Sequence, residues 1–114
     1  VSAITTHVLD TTRGRPGAGI RVTLERRDAG GAWIELGVGR TDRDGRLRTL
    51  LPDEATLGPG PYRLRFETGA YFDALGLESF HPIVEVTFEV RDPATHHHVP
   101  LLVSPYGYTT YRGS

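Results

Sequence analysis

The chain contains no cysteine, no lysine and no long apolar run. Without cysteine there is no disulfide, no thiolate nucleophile and no thiolate metal site. Without lysine there is no amine for a Schiff base, and all 13 cationic side chains are arginine. No stretch approaches the ~18 consecutive apolar residues of a membrane-spanning helix. Excess charge is missing too. The net charge of -1 leaves no electrostatic footprint for nucleic acid or an anionic membrane. The opening VSAITTHVLD lacks the charged and apolar regions of a signal peptide. The expected compartment is the cytoplasm, with a removed leader left open. A P-loop, a dinucleotide fingerprint, a nucleophile elbow and an HExxH pair are all lacking, and no cofactor is expected.

What remains is alternation. The 114 residues are 38% hydrophobic and 24% charged, which suits one globular domain spanning 1–114 rather than a disordered chain. Ile20, Val22 and Leu24 alternate with Arg21, Thr23 and Glu25; Tyr62, Leu64 and Phe66 alternate with Arg63, Arg65 and Glu67. Val84 to Val90 repeats the pattern. A period of two marks strands with one face in a core and one in water. Turn signals separate these runs: Asp28-Ala29-Gly30-Gly31, Asp44-Gly45 as a tight hairpin turn, Gly58-Pro59-Gly60-Pro61, Asp92-Pro93 and Ser104-Pro105-Tyr106-Gly107. Eight strands are expected at 3–9, 20–27, 32–40, 46–50, 61–68, 83–91, 96–103 and 106–112. One short helical turn is expected over 71–76, closed by Gly76. The fold class is all-β, an antiparallel sandwich.

Histidine carries the chemistry that composition leaves open. In the His96-His97-His98 run, alternation puts His96, His98, Pro100 and Leu102 on one face. His97, Val99, Leu101 and Val103 form the other, more apolar face, which is expected to meet the core. Two imidazoles at i and i+2 suit a zinc ion with His7 as a third ligand, or acid–base catalysis, or plain surface exposure. Alternation puts Thr5, His7 and Leu9 together on the first strand. Pattern alone does not separate Arg46 from the other arginines, nor Tyr111 from an ordinary strand tyrosine. The end, Tyr111-Arg112-Gly113-Ser114, continues a strand pattern to the last residue, which suggests part of a packed site rather than a frayed tail.

Together these segments resemble the 5-hydroxyisourate hydrolases of the transthyretin-like family. The residues that carry the resemblance are Thr6-His7-Val8-Leu9-Asp10, Arg13-Gly14-Arg15-Pro16, Thr41 to Arg46, Tyr71-Phe72, Phe80-His81-Pro82, His96 to Leu102, Ser104 to Tyr108 and the YRGS end. The hormone carrier transthyretin lacks that end, and lacks His and Arg at positions 7 and 46. Relatives read His-Tyr-His where this chain has His97 in the middle, which predicts a packing difference.

The resemblance implies a transthyretin-like β-sandwich of two four-stranded sheets with one short helix, assembled as a homotetramer, a dimer of dimers. It implies an active site between subunits built from His7, Arg46, His98 and Tyr111, with Ser114 near its mouth. The implied reaction is metal-free hydrolysis of 5-hydroxyisourate to 2-oxo-4-hydroxy-4-carboxy-5-ureidoimidazoline in urate catabolism. His7 and His98 would move protons; Arg46 and Tyr111, with His7, would hold the substrate. His7, His98 and Tyr111 are expected on outward strand faces, with Thr5, Leu9, Pro100, Leu102 and Thr109 forming a subunit contact. The alternatives are a carrier of a small ligand that catalyses nothing, a zinc hydrolase and an adhesive sandwich.

Overall fold

The computed structural model describes residues 2–114. Among them are nine strands and one helix, in the order β1 (Ile4–Asp10), β2 (Arg15–Pro16), β3 (Arg21–Arg27), β4 (Trp33–Arg40), β5 (Arg46–Leu47), β6 (Gly60–Phe66), α1 (Thr68–Ala74), β7 (Val84–Val90), β8 (His97–Ser104) and β9 (Gly107–Thr110). One sheet runs β2-β1-β8-β9, with β5 also pairing β1; the other runs β4-β3-β6-β7. The alternating strands supply the interface between them. Val22, Leu24, Leu64, Phe66, Val84 and Val90 from one sheet meet Ile4, Val8, Val99, Leu101 and Val103 from the other, all buried. Each such side chain contributes about 1.5–3 kcal/mol through burial. The wet face of the second sheet carries cross-strand ion pairs. Arg63 Nε donates to Glu25 at 2.8 Å while its guanidinium lies 4.4 Å from the Trp33 ring centroid, and Arg65 Nε donates to Glu85 at 2.9 Å.

The sandwich is not wholly antiparallel. β1 and β8 pair in parallel, from Ile4↔His97 to Asp10↔Val103. Alternation dictates which face is buried, not chain direction, and a parallel pair needs only a long connection. Here nearly the whole chain supplies it. A ninth strand, β2, pairs Pro16 with Leu9 and Arg15 with Asp10. The expected strand at 46–50 shrinks to Arg46–Leu47, because the consecutive Leu50 and Leu51 both enter the core, which a pleated strand forbids. The Asp44-Gly45 turn is tight but joins no hairpin: β4 pairs with β3, whereas β5 pairs with β1 in the opposite sheet. The last strand stops at Thr110, short of the expected 112.

The helix starts three residues before the expected 71–76. Thr68 Oγ1 donates to the His81 carbonyl at 3.2 Å, and the Gly69 N–H donates to Pro82 at 3.0 Å, so the first turn is built against the 81–82 segment. At the other end Gly76 adopts φ 72°, and the N–H groups of Gly76 and Leu77 reach the carbonyls of Asp73 and Phe72 at 3.0 Å each. That pair of bonds is a Schellman closure, as the glycine suggested. Phe72 is buried, and Tyr71 donates its hydroxyl to the buried Asp10 at 2.8 Å, tying the helix to the end of β1.

Candidate active site

The turn at residues 42–45 brings Arg46 to His7. The Asp42 carboxylate accepts the backbone N–H groups of Asp44 at 2.8 Å and Arg46 at 3.0 Å. Gly45 has φ 77°, and a Cβ there would sit 2.4 Å from the Val8 carbonyl oxygen. Glycine therefore allows both the dihedral and the close approach to β1. The turn docks on β1, the Val8 N–H donates to the Gly45 carbonyl at 2.8 Å, and Arg46 stands in register with His7. His7 Nε2 lies 3.0 Å from the Asp44 carbonyl. A carbonyl only accepts, so Nε2 carries the hydrogen and neutral His7 keeps a free lone pair on Nδ1.

Parallel pairing puts His98 beside Thr5. The Thr5 hydroxyl lies 2.8 Å from His98 Nδ1 and 2.9 Å from His96 Nε2. Beyond Thr110 the chain leaves the strand pattern and then returns. The Gly113 N–H donates to the His98 carbonyl at 2.8 Å, and a Cβ on Gly113 would lie 2.6 Å from His98 Cδ2. Only glycine lets the backbone rest on that imidazole. Ser114 is thereby delivered to a depression of about 180 Å³, lined also by Thr5, Thr6, Arg46, Arg48, His96 and His98. His98 has its pKa held below the ordinary imidazole value by burial, then by the positive charges of Arg46, His96, His7 and Arg48. It is neutral, and able to accept a proton, at neutral pH.

Tyr111 lies elsewhere. It is 57% exposed and lines a separate groove of about 340 Å³ with Val86, Phe88, His97 and Val99. The expected outward alternation fails here because the strand has already ended. His97 faces the core as expected, buried, with Nδ1–H donating to the Thr95 carbonyl at 3.0 Å. Within one chain, then, His7 and Arg46 pair, and Arg46, His98 and Ser114 share a depression, while Tyr111 stands apart. Thr5 and Pro100, expected as part of a subunit contact, are already buried within the chain; Leu9 and Leu102 are half-buried and Thr109 is exposed.

Sequence reading left Thr5 and Arg48 without a place in the site, and weighed His96 only as a partner of His98 in a zinc site or in catalysis. Alternation did put Thr5 with His7 and His96 with His98. The two-residue spacing of Arg46 and Arg48 was an unused signal of the same kind. Size does not pick out the site. A larger depression, about 400 Å³, lies beside α1, and its arginines are engaged: Arg13 by Asp10 and Tyr71, Arg21 by Glu67, Arg40 by the Gly19 carbonyl. Among the described residues no group of three or more His, Asp or Glu side chains is arranged to hold a metal ion. Among the same residues no helix is long and apolar enough to cross a membrane.

Residues 4–113 match the model of the HIUase/transthyretin family. The chain belongs to that family. It is 47% identical to the 5-hydroxyisourate hydrolase of Caulobacter vibrioides over 120 residues, covering all of both chains. Its fold matches the Klebsiella pneumoniae 5-hydroxyisourate hydrolase with a TM-score of 0.84 at 37% identity, covering 97% of this chain and 98% of that one. It matches sea bream transthyretin, solved in complex with thyroxine, with a TM-score of 0.90 at 30% identity, covering 97% and 94%. Backbone likeness within the HIUase/transthyretin family thus spans a hydrolase and a thyroxine-bound protein. Backbone likeness alone therefore does not separate the two.

Proposed function

We propose that this member of the family hydrolyses 5-hydroxyisourate, opening a ring amide to give 2-oxo-4-hydroxy-4-carboxy-5-ureidoimidazoline in urate catabolism. The observation that carries the reading is the meeting of Arg46, a neutral and half-buried His98 and Ser114 at one depression, with His7 in register with Arg46. A cavity for an apolar ligand gains nothing from burying such groups. Identity of 47% to a full-length hydrolase supports the same choice.

In the proposed mechanism His98 Nε2 takes a proton from water as the water oxygen bonds to the ring carbonyl carbon. Arg46 cannot deprotonate, and its planar fork stabilises the charge that grows on the carbonyl oxygen. The C–N bond then breaks and the leaving ring nitrogen receives a proton from His98 Nε2. His7 and Ser114 orient the substrate. We assign Tyr111 a part only where copies of the chain associate, in a homotetramer built as a dimer of dimers. The strand edges at β7 and β9, two among the open edges of the sandwich, and the exposed Tyr106, Tyr108 and Tyr111 support such association. No metal enters the scheme.

The test is a coupled assay. Urate oxidase generates 5-hydroxyisourate, and its decay is followed with and without the protein, before and after EDTA. Acceleration that survives the chelator is expected. No acceleration in either arm would leave the carrier reading, which the likeness to thyroxine-bound transthyretin favours, as the better one.

A further inference from the structure

A base that takes a proton from water must pass it on. No Asp or Glu side chain lines the depression, and the side chains whose charge acts on His98 are cationic or basic: Arg46 on β5, Arg48 just beyond it, His7 on β1 and His96 before β8. A second positive charge held at His98 would therefore be costly. A polar chain leading away starts at His98 Nδ1. It runs 2.8 Å to Thr5 Oγ1 and 2.9 Å on to His96 Nε2. Thr5 is buried, whereas His96 is exposed to solvent.

A threonine hydroxyl has one hydrogen, so it can donate to only one of the two imidazole nitrogens and must accept from the other. The three groups therefore share two coupled arrangements. In the first, His98 Nδ1–H donates to Thr5 and Thr5 donates to His96, leaving the lone pair of His98 on Nε2. In the second both bonds are reversed and Nε2 carries a hydrogen. We propose, resting on the hydrolase reading, that Thr5 is a positioning residue for His98 and the middle member of a proton wire from His98 to His96.

The step balances. As Nε2 gains the proton of water, the Nδ1 proton moves to Thr5 Oγ1 and the threonine proton moves to His96 Nε2. His98 is left neutral, with Nε2–H ready for the leaving nitrogen, and the positive charge rests on an exposed imidazole that exchanges with solvent. As Nε2 gives its proton to the leaving nitrogen, the wire runs in reverse: His96 returns a proton to Thr5 Oγ1 and Thr5 returns one to His98 Nδ1, so His98 stays neutral throughout.

The test uses Thr5→Val, which keeps the shape and removes the hydroxyl, beside Thr5→Ser, which keeps the hydroxyl. In Thr5→Val, kcat is expected to fall about 10- to 100-fold with KM little changed, on the scale of general acid–base effects. Thr5→Ser should restore most of the rate. His96→Gly should lose a similar factor and recover it with added imidazole. Equal losses in Thr5→Val and Thr5→Ser, or wild-type turnover in Thr5→Val, would overturn the wire. A second readout needs no substrate: ring ¹⁵N shifts of His96 and His98. The wild type should give a complementary pair, one Thr5-facing nitrogen protonated and the other not. In Thr5→Val, or in Thr5→Ser compared with His96→Gly should the valine variant not fold, that pairing should change wherever the hydroxyl bridge is broken. Unchanged shifts sink the wire even if the protein hydrolyses 5-hydroxyisourate. Changed shifts without hydrolysis would support the bridge while sinking the substrate assignment.

Discussion

Arg46 does two jobs in the proposed chemistry, and a pH profile separates them. Its charge stabilises the developing oxyanion, and the same charge helps hold the His98 pKa below its ordinary value of 6.5, after burial. A base must be neutral, so activity is lost as pH falls through the pKa of His98. The acid limb of the wild-type kcat/KM profile should therefore lie below pH 6.5. In Arg46→Gln the limb should move up, while staying under 6.5 because burial persists. The plateau should drop about 10²-fold, the usual cost of losing one oxyanion partner. A limb that stays in place would remove His98 as the base; an unchanged plateau would remove Arg46. Gly113 belongs to this scale as well. Its missing side chain lets the terminal segment lie against the His98 ring, a constraint as local as any charge.

At the scale of elements, β1 is held in place at its far end by a buried carboxylate. Burial alone would raise the Asp10 pKa, but hydrogen bonds from Tyr71, from the Arg13 side chain and from the backbone of Arg13 and Thr12 outweigh it and hold it low. A lowered carboxylate pKa adds stability that is present above the ordinary 3.8 and is lost as pH falls through that value toward the folded pKa. Tyr71→Phe removes one bond to this carboxylate and should cost about 1–3 kcal/mol at neutral pH. In urea titrations the gap from wild type should narrow as pH falls below 3.8; a gap independent of pH would mean that Tyr71 acts by packing alone. Much of the element layout was legible, because Val84–Val90 and Tyr62–Phe66 write their faces directly into a two-residue alternation. The pairing of β1 with β8 was not, since alternation carries no chain direction. Nor was the place of Tyr111. The rule of alternate faces holds only while the ladder continues, and the chain leaves it after Thr110 before bridging back to His98 at Gly113. Thr5 was visible as a face-mate of His7, but a hydroxyl between two imidazoles exists only once two distant strands lie side by side.

For the whole molecule, the open edges of β7 and β9 and the stranded position of Tyr111 make association part of the proposed function. Sedimentation velocity at micromolar concentration should report a tetramer. Removing residues 111–114 should abolish hydrolysis while the far-ultraviolet spectrum stays that of a β-sandwich. A fully active monomer would instead confine the site to a single chain. The parallel ladder between β1 and β8 has a further consequence, in time rather than space. Its partners, Thr5 and His98, are separated by nearly the entire polypeptide, and such pairings close late because loop entropy must be overcome first. On a ribosome, His7 and Thr5 emerge early and wait for their counterparts until synthesis is almost done. Activity would then switch on only after the last strand has docked, so that half-made chains are inert toward substrate.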